Sequence, residues 1–263
     1  GTKALIPPGW FSMGTLEGPS DATPLHDVFV SGFCMSQYEA TNAQYLECEQ
    51  SGTCLTPLSA SSYTRPTYYG DERFDAFPVI RVTWGDAENF CASIGGRLPT
   101  EAEWEKASRG GWCLDGDVGC EVPNPLPVRP YPWGDVPPDC RNNRFANLND
   151  CTRDTAEVGR FRQDVSPYGV YDLSGNVREW IYDLYVEDFY STAPTALDPV
   201  GYGYGAQDQV LRGASYSTLE VPAQSLWYRE NLGSSGVGWS LGIRCVFSSR
   251  APWGEPIQMP ASL

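Results

Sequence analysis

The sequence predicts a loop-rich α+β fold with little regular secondary structure. The 263 residues include 27 glycines and 22 prolines without a repeating period, and 13% of them are aromatic, with nine tryptophans. Such a composition is typical of turns and loops held in place by buried aromatic side chains. Helical patterns occur in only a few places, and the strand-like segments are short. Together these observations favour a mixed, irregular domain.

Helical patterns occur in three places. Residues 38–48 predict a helix that begins near Thr41 or Asn42. A second helix is predicted to begin at a capping Asp86 and to end at Gly95. Its apolar residues recur at the spacing of one helical face; they are Ala87, Phe90, Cys91 and Ile94.

The third helix has the strongest start signal. Thr100 and Glu103 have the spacing of a capping box, and Gly110 provides the stop signal. Strand-like segments occur at residues 5–14, 27–30, 79–84, 209–212 and 242–247. Long loops are predicted over 51–78 and 112–168. No internal repeat or linker interrupts this order, which predicts one domain over residues 1–263, with its core at about 5–248 and a tail at 249–263.

Charge and histidine content exclude several functions. The formal net charge of −15 repels nucleic acid and anionic membrane surfaces, and favours metal cations or basic partners. No apolar run is long enough to span a bilayer. His26 is the single histidine, and the chain has no CxxC and no GxSxG sequence. A zinc site and a serine hydrolase are therefore not expected, and His26 is predicted to be a surface or hydrogen-bonded residue.

Nine cysteines indicate an oxidising compartment. Six of them form sequence-local pairs around short polar segments, which is typical of loop-closing disulfides. The predicted local pairs are Cys48–Cys54, Cys113–Cys120 and Cys140–Cys151. We therefore expect an extracytoplasmic protein, in the periplasm, at the cell surface or secreted.

Several strings in this order resemble the formylglycine-generating-enzyme, or sulfatase-modifying-factor, family. They span residues 6–245 and read IPPGWFSMG, YEATNAQY, VTWGDAENFCASIGGRLPTEAEWEKASRGG, YPWGD, FAN, SPYGVYDLSGNVREW, QVLRGASY and LGIRC. The resemblance implies a variant of the C-type-lectin fold. It also implies a disulfide between Cys91 and Cys245, which leaves Cys34 unpaired in a predicted strand.

The cysteine pair of the family's oxidase is missing. In the family, two cysteines bind copper just after an RGGS-like strand, as suits a soft cuprous ion. Here the segment reads RGASYSTLEV, with Thr218 in the place of the first thiolate and no cysteine in the place of the second. Copper-dependent oxidation is not expected. A related iron-dependent branch uses three histidines, which a chain with His26 alone cannot supply.

Two other functions stay open. A third branch, typified by a periplasmic pyoverdine-maturation oxidase, acts without the cysteine pair. In an enzyme of that kind, Tyr216, Glu220 and Arg229 are the candidate acid–base or binding groups. The chain could also serve as an accessory subunit of another enzyme.

The resemblance also implies two structural calcium sites, built from the oxygen ligands that calcium prefers. The first set of ligands is Asp172, Gly175, Val177 and Glu179. The second is Asn147, Leu148, Asp150 and Thr152, with Asp154 as a substitute for Asp150.

The family's substrate groove maps onto the same C-terminal half. Ser215 and Arg229 match groove positions of the family, and Thr218 and Trp227 complete the predicted groove. Tryptophan and arginine are common at binding hot spots. We therefore predict a calcium-stabilised binding module for a peptide or protein, with a basic ligand favoured by the net charge.

Overall fold

The computed structural model describes residues 1–139, 145–148, 151–192, 196–203, 207–220 and 222–249. Its elements confirm the α+β class. The strands are β1 (Lys3–Ile6), β2 (Gly9–Met13), β3 (His26–Val30), β4 (Phe33–Ser36), β5 (Arg178–Leu184), β6 (Asp208–Arg212), β7 (Glu230–Gly233), β8 (Leu241–Gly242) and β9 (Val246–Ser248). The helices are α1 (Asn42–Gln50), α2 (Trp84–Ser93), α3 (Glu101–Arg109) and α4 (Phe189–Thr192).

The described strands form three small sheets. β4 lies between β1 and β9 in an antiparallel sheet, and β2 pairs with β3 as a separate antiparallel ribbon. The third sheet has the order β7-β6-β5-β8, in which only the β5–β8 pair is parallel. This sheet positions the candidate site, because the turns after β6 and before β8 leave it on the same side.

The three longer helices begin at capping boxes. The hydroxyls of Thr41, Thr83 and Thr100 each accept a hydrogen bond from the backbone three residues later, and each third residue bonds back to the cap. The predicted start of α3 is confirmed. For α2 the prediction is corrected: the cap is Thr83, and Asp86 is the third helical residue that completes the box.

Three other predictions are wrong in detail. Residues 79–84 do not form a strand, because Arg81 adopts a left-handed backbone conformation with φ of 65° and α2 already begins at Trp84. In α2, Ile94 follows the last helical residue and is 48% exposed, whereas the other three predicted face residues are buried. The predicted strand at 242–247 is divided into β8 and β9.

Three of the four predicted disulfides are present. They are Cys48–Cys54, Cys91–Cys245 and Cys113–Cys120. Cys34 is a free, buried cysteine in β4, as predicted. The fourth pair includes Cys140, which lies outside the described residues. The Cys91–Cys245 bridge fixes α2 to the chain just before β9.

Helix α3 has all nine of its residues buried, although four of its first six and its last are charged. Glu101 accepts hydrogen bonds from Arg212 and Arg229, and Glu105 pairs with Arg212 and Arg109. Isolated buried charges are strongly unfavourable, so each requires such partners.

Lys106 of α3 solves the same problem with backbone oxygens. Its Nζ donates to the carbonyls of Pro7, Gly9 and Val30 at 2.7–3.1 Å, and burial lowers its pKa to about 8. The imidazole Nδ1 of His26 lies 2.9 Å from the Pro24 carbonyl, in keeping with a hydrogen-bonded histidine. Among the described residues, no helix has the length and apolarity that crossing a membrane requires.

Candidate functional site

The turn that follows β6 contains Thr218, which the resemblance in sequence placed at the first copper-binding cysteine of the family's oxidase. The backbone N–H of Ser215 donates to the Thr218 hydroxyl at 3.0 Å, and the N–H of Thr218 donates to the Ser215 carbonyl at 2.9 Å. Tyr216 N–H bonds to the Asn176 carbonyl, which ties the turn to the GNVREW segment. Thr218 is buried, and its hydroxyl closes the turn.

Arg178 connects this turn to the segment before β8. Its Nη1 donates to the hydroxyls of Ser215 at 3.2 Å and Ser240 at 3.4 Å, while its Nη2 donates to Glu230 at 3.0 Å. Because one guanidinium contacts three segments, the two turns keep a fixed separation. A cleft opens between them.

This aromatic cleft has a volume of about 610 Å³ and is lined by Tyr63, Thr64, Arg153, Tyr216, Ser217, Trp239 and Ser240. The rings of Tyr63 and Trp239 lie 5.5 Å apart, and the Arg81 guanidinium lies 4.3 Å from the Trp239 ring. Tyr63 is 60% exposed and Trp239 is 40% exposed. Large aromatic side chains that remain in water around a concave site are typical of ligand contacts.

Asp154 holds the loop that presents Tyr63. Its carboxylate accepts hydrogen bonds from Ser62 Oγ at 2.6 Å and from the N–H and Oγ1 of Thr64 at 2.8 and 2.7 Å. The residues on either side of Tyr63 are therefore fixed, and its ring is left pointing outwards. Burial alone would raise the pKa of Asp154, but the hydrogen bonds from Ser62 and Thr64 outweigh it and lower the pKa below its ordinary value.

Sequence reasoning placed other residues at this site, and the structure separates them. Ser215 and Thr218 lie at the turn beside the cleft, but Trp227 lies near Arg109, with 6.0 Å between the guanidinium carbon and the ring. Arg229 is buried and donates to both carboxylate oxygens of Glu101, at 2.7 and 3.0 Å. Neither Trp227 nor Arg229 lines the aromatic cleft.

The three candidate catalytic residues are not brought together. Burial raises the pKa of the Tyr216 phenol, which keeps it neutral, and its hydroxyl lies 3.4 Å from the Trp239 carbonyl. Glu220 is exposed, while Arg229 is committed to Glu101. A proton-transfer pair needs direct hydrogen-bonding reach, and no such contact joins these three described side chains.

The first predicted calcium segment lies in a strongly acidic interior. Asp172 accepts from the N–H of Gly159 at 2.6 Å, and Glu179 is paired with Arg244 through both of its oxygens. Burial raises the pKa of Asp172 to about 7, and burial beside Asp172 raises that of Asp164. Gly175 and Val177 lie in the same turn, just before β5 begins at Arg178.

Oxygen donors and excess negative charge at this segment fit a hard cation. Arg244 already neutralises Glu179, so a side chain takes part of the role that a bound cation would have. Among the described residues, no three acidic, histidine or cysteine side chains converge in an arrangement that could hold a metal by themselves. Backbone carbonyls, such as those of Gly175 and Val177, would have to complete the ligand set.

The second predicted segment packs directly on the first. Asn147 Nδ2 donates to Asn176 Oδ1 at 3.1 Å and to the Asp154 carbonyl at 3.0 Å, and Thr152 Oγ1 donates to Asn147 Oδ1 at 2.8 Å. A Cβ on Gly175 would lie 2.9 Å from the Asn147 backbone, so only glycine allows this approach. Leu148 is buried, and Asp150 lies outside the described residues.

Sequence reasoning missed Arg81, which lies against the Trp239 ring, and noted Trp239 only as a neighbour in sequence. It also missed five of the lining residues, which are Tyr63, Thr64, Arg153, Ser217 and Ser240. Tyr63 lies in the long predicted loop at 51–78, and Arg81 lies in the segment predicted as a strand. The signal that the sequence offered was an aromatic residue in a loop that carries several hydroxyl residues. It gave no indication of the partner, because Tyr63 and Trp239 are far apart in the chain.

The fold and the ordered motifs around this cleft define a sulfatase-modifying-factor protein. The chain matches the Sulfatase-modifying factor enzyme 1-like domain over residues 2–249, and it therefore belongs to that family, which includes the formylglycine-generating enzymes. The family membership expected from the motifs is confirmed.

Two relatives in sequence and one solved structure show what the chain is similar to. The serine/threonine-protein kinase pkn1 of Chlamydia pneumoniae is 33% identical over 253 residues, which cover 92% of this chain and 37% of that protein. The formylglycine-generating enzyme of Streptomyces coelicolor is 37% identical over 186 residues, covering 64% of this chain and 52% of the enzyme. PvdO from Pseudomonas aeruginosa superposes with a TM-score of 0.69 at 24% identity over 94% of each chain, which shows a shared fold.

Proposed function

We propose that the chain is a binding module that holds a segment of a peptide or protein in the aromatic cleft, and that it does not act as a copper oxidase. The observation that carries the proposal is the fixed, solvent-exposed pair of Tyr63 and Trp239 beside the turn of Thr218. Hydrogen bonds from two distant segments hold this pair in place before any ligand arrives. Such preorganisation reduces the entropic cost of binding.

The residues at the turn support the absence of copper chemistry. The Thr218 hydroxyl is a hard, neutral oxygen already bonded to Ser215, and a cuprous ion prefers thiolates. Cys34 is the free cysteine among the described residues, and it lies buried in β4, in a different sheet from the turn.

The alternative is a cysteine-independent oxidoreductase of the pyoverdine-maturation type. Its support is the likeness in fold to PvdO. The separation of Tyr216, Glu220 and Arg229 argues against their joint use in catalysis. Binding is therefore the better-supported function for this cleft.

The direct test is peptide capture by matched tryptophan variants. Random peptides displayed on phage are selected on the intact chain and then measured on Trp239→Ala and Trp112→Ala. The two tryptophans are 40% and 41% exposed, but only Trp239 lines the cleft. We expect the selected peptides to lose at least about tenfold in affinity on Trp239→Ala alone, as for an aromatic hot spot. Equal retention by both variants would remove the cleft as the binding site.

The oxidase question has its own measurement. We expect purified protein to hold no stoichiometric copper and to consume no oxygen when given cysteine-containing peptides. Peptide-dependent oxygen uptake with bound copper would overturn the proposal. Oxygen uptake without copper would instead favour the cysteine-independent oxidoreductase.

Calcium is proposed as a structural ion at the turn of Asp172. The donors would be the Asp172 carboxylate and the carbonyls of Gly175 and Val177, with Glu179 shared with Arg244. Calcium at a hundred times its Kd would add about 2.7 kcal/mol of stability, equivalent to roughly 5–10 °C in Tm for a chain of this size. A chelator that leaves the Tm unchanged would refute both proposed calcium sites, the one at Asp172 and the one at Asn147.

We also propose that the protein works outside the cytoplasm. The support is the three disulfides among the described residues, two of which close short loops. Bridges of this kind persist in oxidising compartments. Cell fractionation of the source organism with an antibody to the chain tests this directly, and recovery in the cytoplasmic fraction with reduced thiols would contradict it.

A further inference from the structure

The aromatic cleft differs in charge from the molecule around it. The chain has a net charge of −15, yet none of the seven side chains that line the cleft is a carboxylate. Two guanidinium groups lie at it: Arg153 in the lining and Arg81 against the Trp239 ring. Most described arginines of this acidic protein are paired with carboxylates. A site with local positive charge is therefore unusual on its surface.

Both arginines belong to the minority of described arginines that lack such a partner. Among the described residues, neither Arg81 nor Arg153 forms an ion pair with a carboxylate, whereas Arg65, beside the same cleft, is paired with Asp154 at 3.3 Å. The Nε of Arg81 is buried and has no hydrogen-bond partner. A buried donor without an acceptor is costly, and a ligand that supplies one recovers that free energy.

The wall around these charges is apolar. Trp239 and Tyr63 form one side, and Leu58, which is 68% exposed, is joined to this side by a hydrogen bond from its N–H to the Arg81 carbonyl. A free small anion would use the guanidinium groups but leave this exposed apolar surface in water. A peptide with an acidic side chain beside a large apolar one would use both.

We infer that the cleft binds an acidic segment of a partner protein, with a carboxylate against Arg81 and Arg153 and a neighbouring aromatic or large aliphatic side chain on Trp239 and Tyr63. This inference rests on the proposed binding function and adds the chemistry of the ligand. The net charge favours basic partners at long range, but the arginines determine which group is stable in contact. Charge repulsion from the rest of the surface makes binding selective, because only segments with a well-placed carboxylate overcome it.

The test uses the phage-selected peptides, synthesised in pairs that differ by one Glu→Gln change. On the native chain, we expect each selected peptide to contain an acidic residue next to an aromatic or aliphatic one, and its Gln partner to bind about tenfold more weakly. The acidic peptide should bind Arg153→Gln about tenfold more weakly than it binds the native chain. The Gln peptide should bind Arg153→Gln and the native chain with almost the same affinity. This non-additivity identifies the contact.

Three variants control the measurement. Arg153→Lys keeps the charge and should retain most of the affinity, whereas the exposed Arg160→Gln, outside the cleft, should bind like the native chain. Arg81→Gln replaces one strained residue by another of similar backbone preference, and its urea unfolding curve shows whether it folds. Arg153 is exposed, so its substitution keeps the test valid if Arg81→Gln is unfolded.

The outcomes separate the two proposals. Peptides that depend on Trp239 but are neutral or basic, or that bind Arg153→Gln and Arg81→Gln as tightly as the native chain, overturn the acidic ligand and leave the binding site intact. An absence of Trp239-dependent peptides overturns the binding function itself, and the ligand assignment with it. Tight binding of free glutamate or acetate, with no gain from the apolar neighbour, also overturns the protein-segment inference.

Discussion

Replacing Asp154 by asparagine should destabilise the protein and detach the loop of Tyr63. The carboxylate accepts four hydrogen bonds, from Ser62 Oγ, Thr64 N, Thr64 Oγ1 and Thr155 N, and lies 3.3 Å from Arg65. The two hydroxyls can rotate towards an amide. The two backbone N–H groups cannot, and the Asn amide can accept from only one of them.

The expected loss follows from these contacts. One backbone N–H left without an acceptor costs about 2 kcal/mol, and the loss of the partly exposed pair with Arg65 adds about 1 kcal/mol. We therefore expect Asp154→Asn to lower the free energy of unfolding by about 3 kcal/mol. Peptide affinity should fall as well, because the loop must then be ordered at the moment of binding.

Urea unfolding followed by tryptophan fluorescence measures the stability. Asp71→Asn is the matched control, since Asp71 is a surface carboxylate paired with Arg73 and should leave the curve almost unchanged. The pH provides a second check. Because the folded pKa of Asp154 is lowered, its contribution is present above about pH 4 and disappears as the pH falls through the folded value. Equal midpoints for the two variants, or a difference that persists in strong acid, would refute the reasoning.

Three further perturbations have definite outcomes. Glu101→Gln leaves two buried arginines undercompensated and should cost about 3–5 kcal/mol in urea unfolding, against little change for the exposed Glu220→Gln; a small effect would mean that water reaches the pair. Burial raises the pKa of Asp183 to about 7, so above about pH 4 the folded state keeps a proton that the unfolded chain has lost. The free energy of unfolding should therefore decline as the pH rises from about 5 to 8. Asp183→Asn should flatten that decline, and an unchanged slope would count against the burial effect. Removal of the Cys91 bridge, which spans 154 positions, should cost about 5 kcal/mol, but removal of the Cys113 bridge, which spans seven, only about 2 kcal/mol; the reverse order would contradict the loop-entropy argument.

Local signals predicted the helices well and the cleft poorly. The capping box at Thr100 depends on four neighbouring residues, so the sequence contains everything that positions the start of α3. The left-handed conformation of Arg81 is imposed by its surroundings, including the hydrogen bonds to Leu58 and Gly238, and alternation of apolar residues gives no sign of it. The same segment therefore read as a strand.

The candidate site depends on contacts between distant residues. Asp154 reaches Ser62 across 92 positions, and the ring of Tyr63 finds Trp239 in another part of the chain. Family resemblance located the turn of Thr218 and the Cys91–Cys245 bridge, because both have counterparts in the motifs. It gave no position for Arg153, whose role comes from the surface that the folded loops create.

Helix α3 has a consequence for the route by which the chain folds. Its carboxylates are neutralised by arginines from β6 and from the segment before β7, more than a hundred positions later. Until those segments pack against α3, burial of the helix would leave its carboxylates without partners. An early collapsed state must therefore leave α3 hydrated. The N-terminal half of the chain cannot complete its interior alone. Pulsed hydrogen exchange should accordingly find α3 protected at the same time as β6, because the last third of the chain supplies the arginines that neutralise this helix.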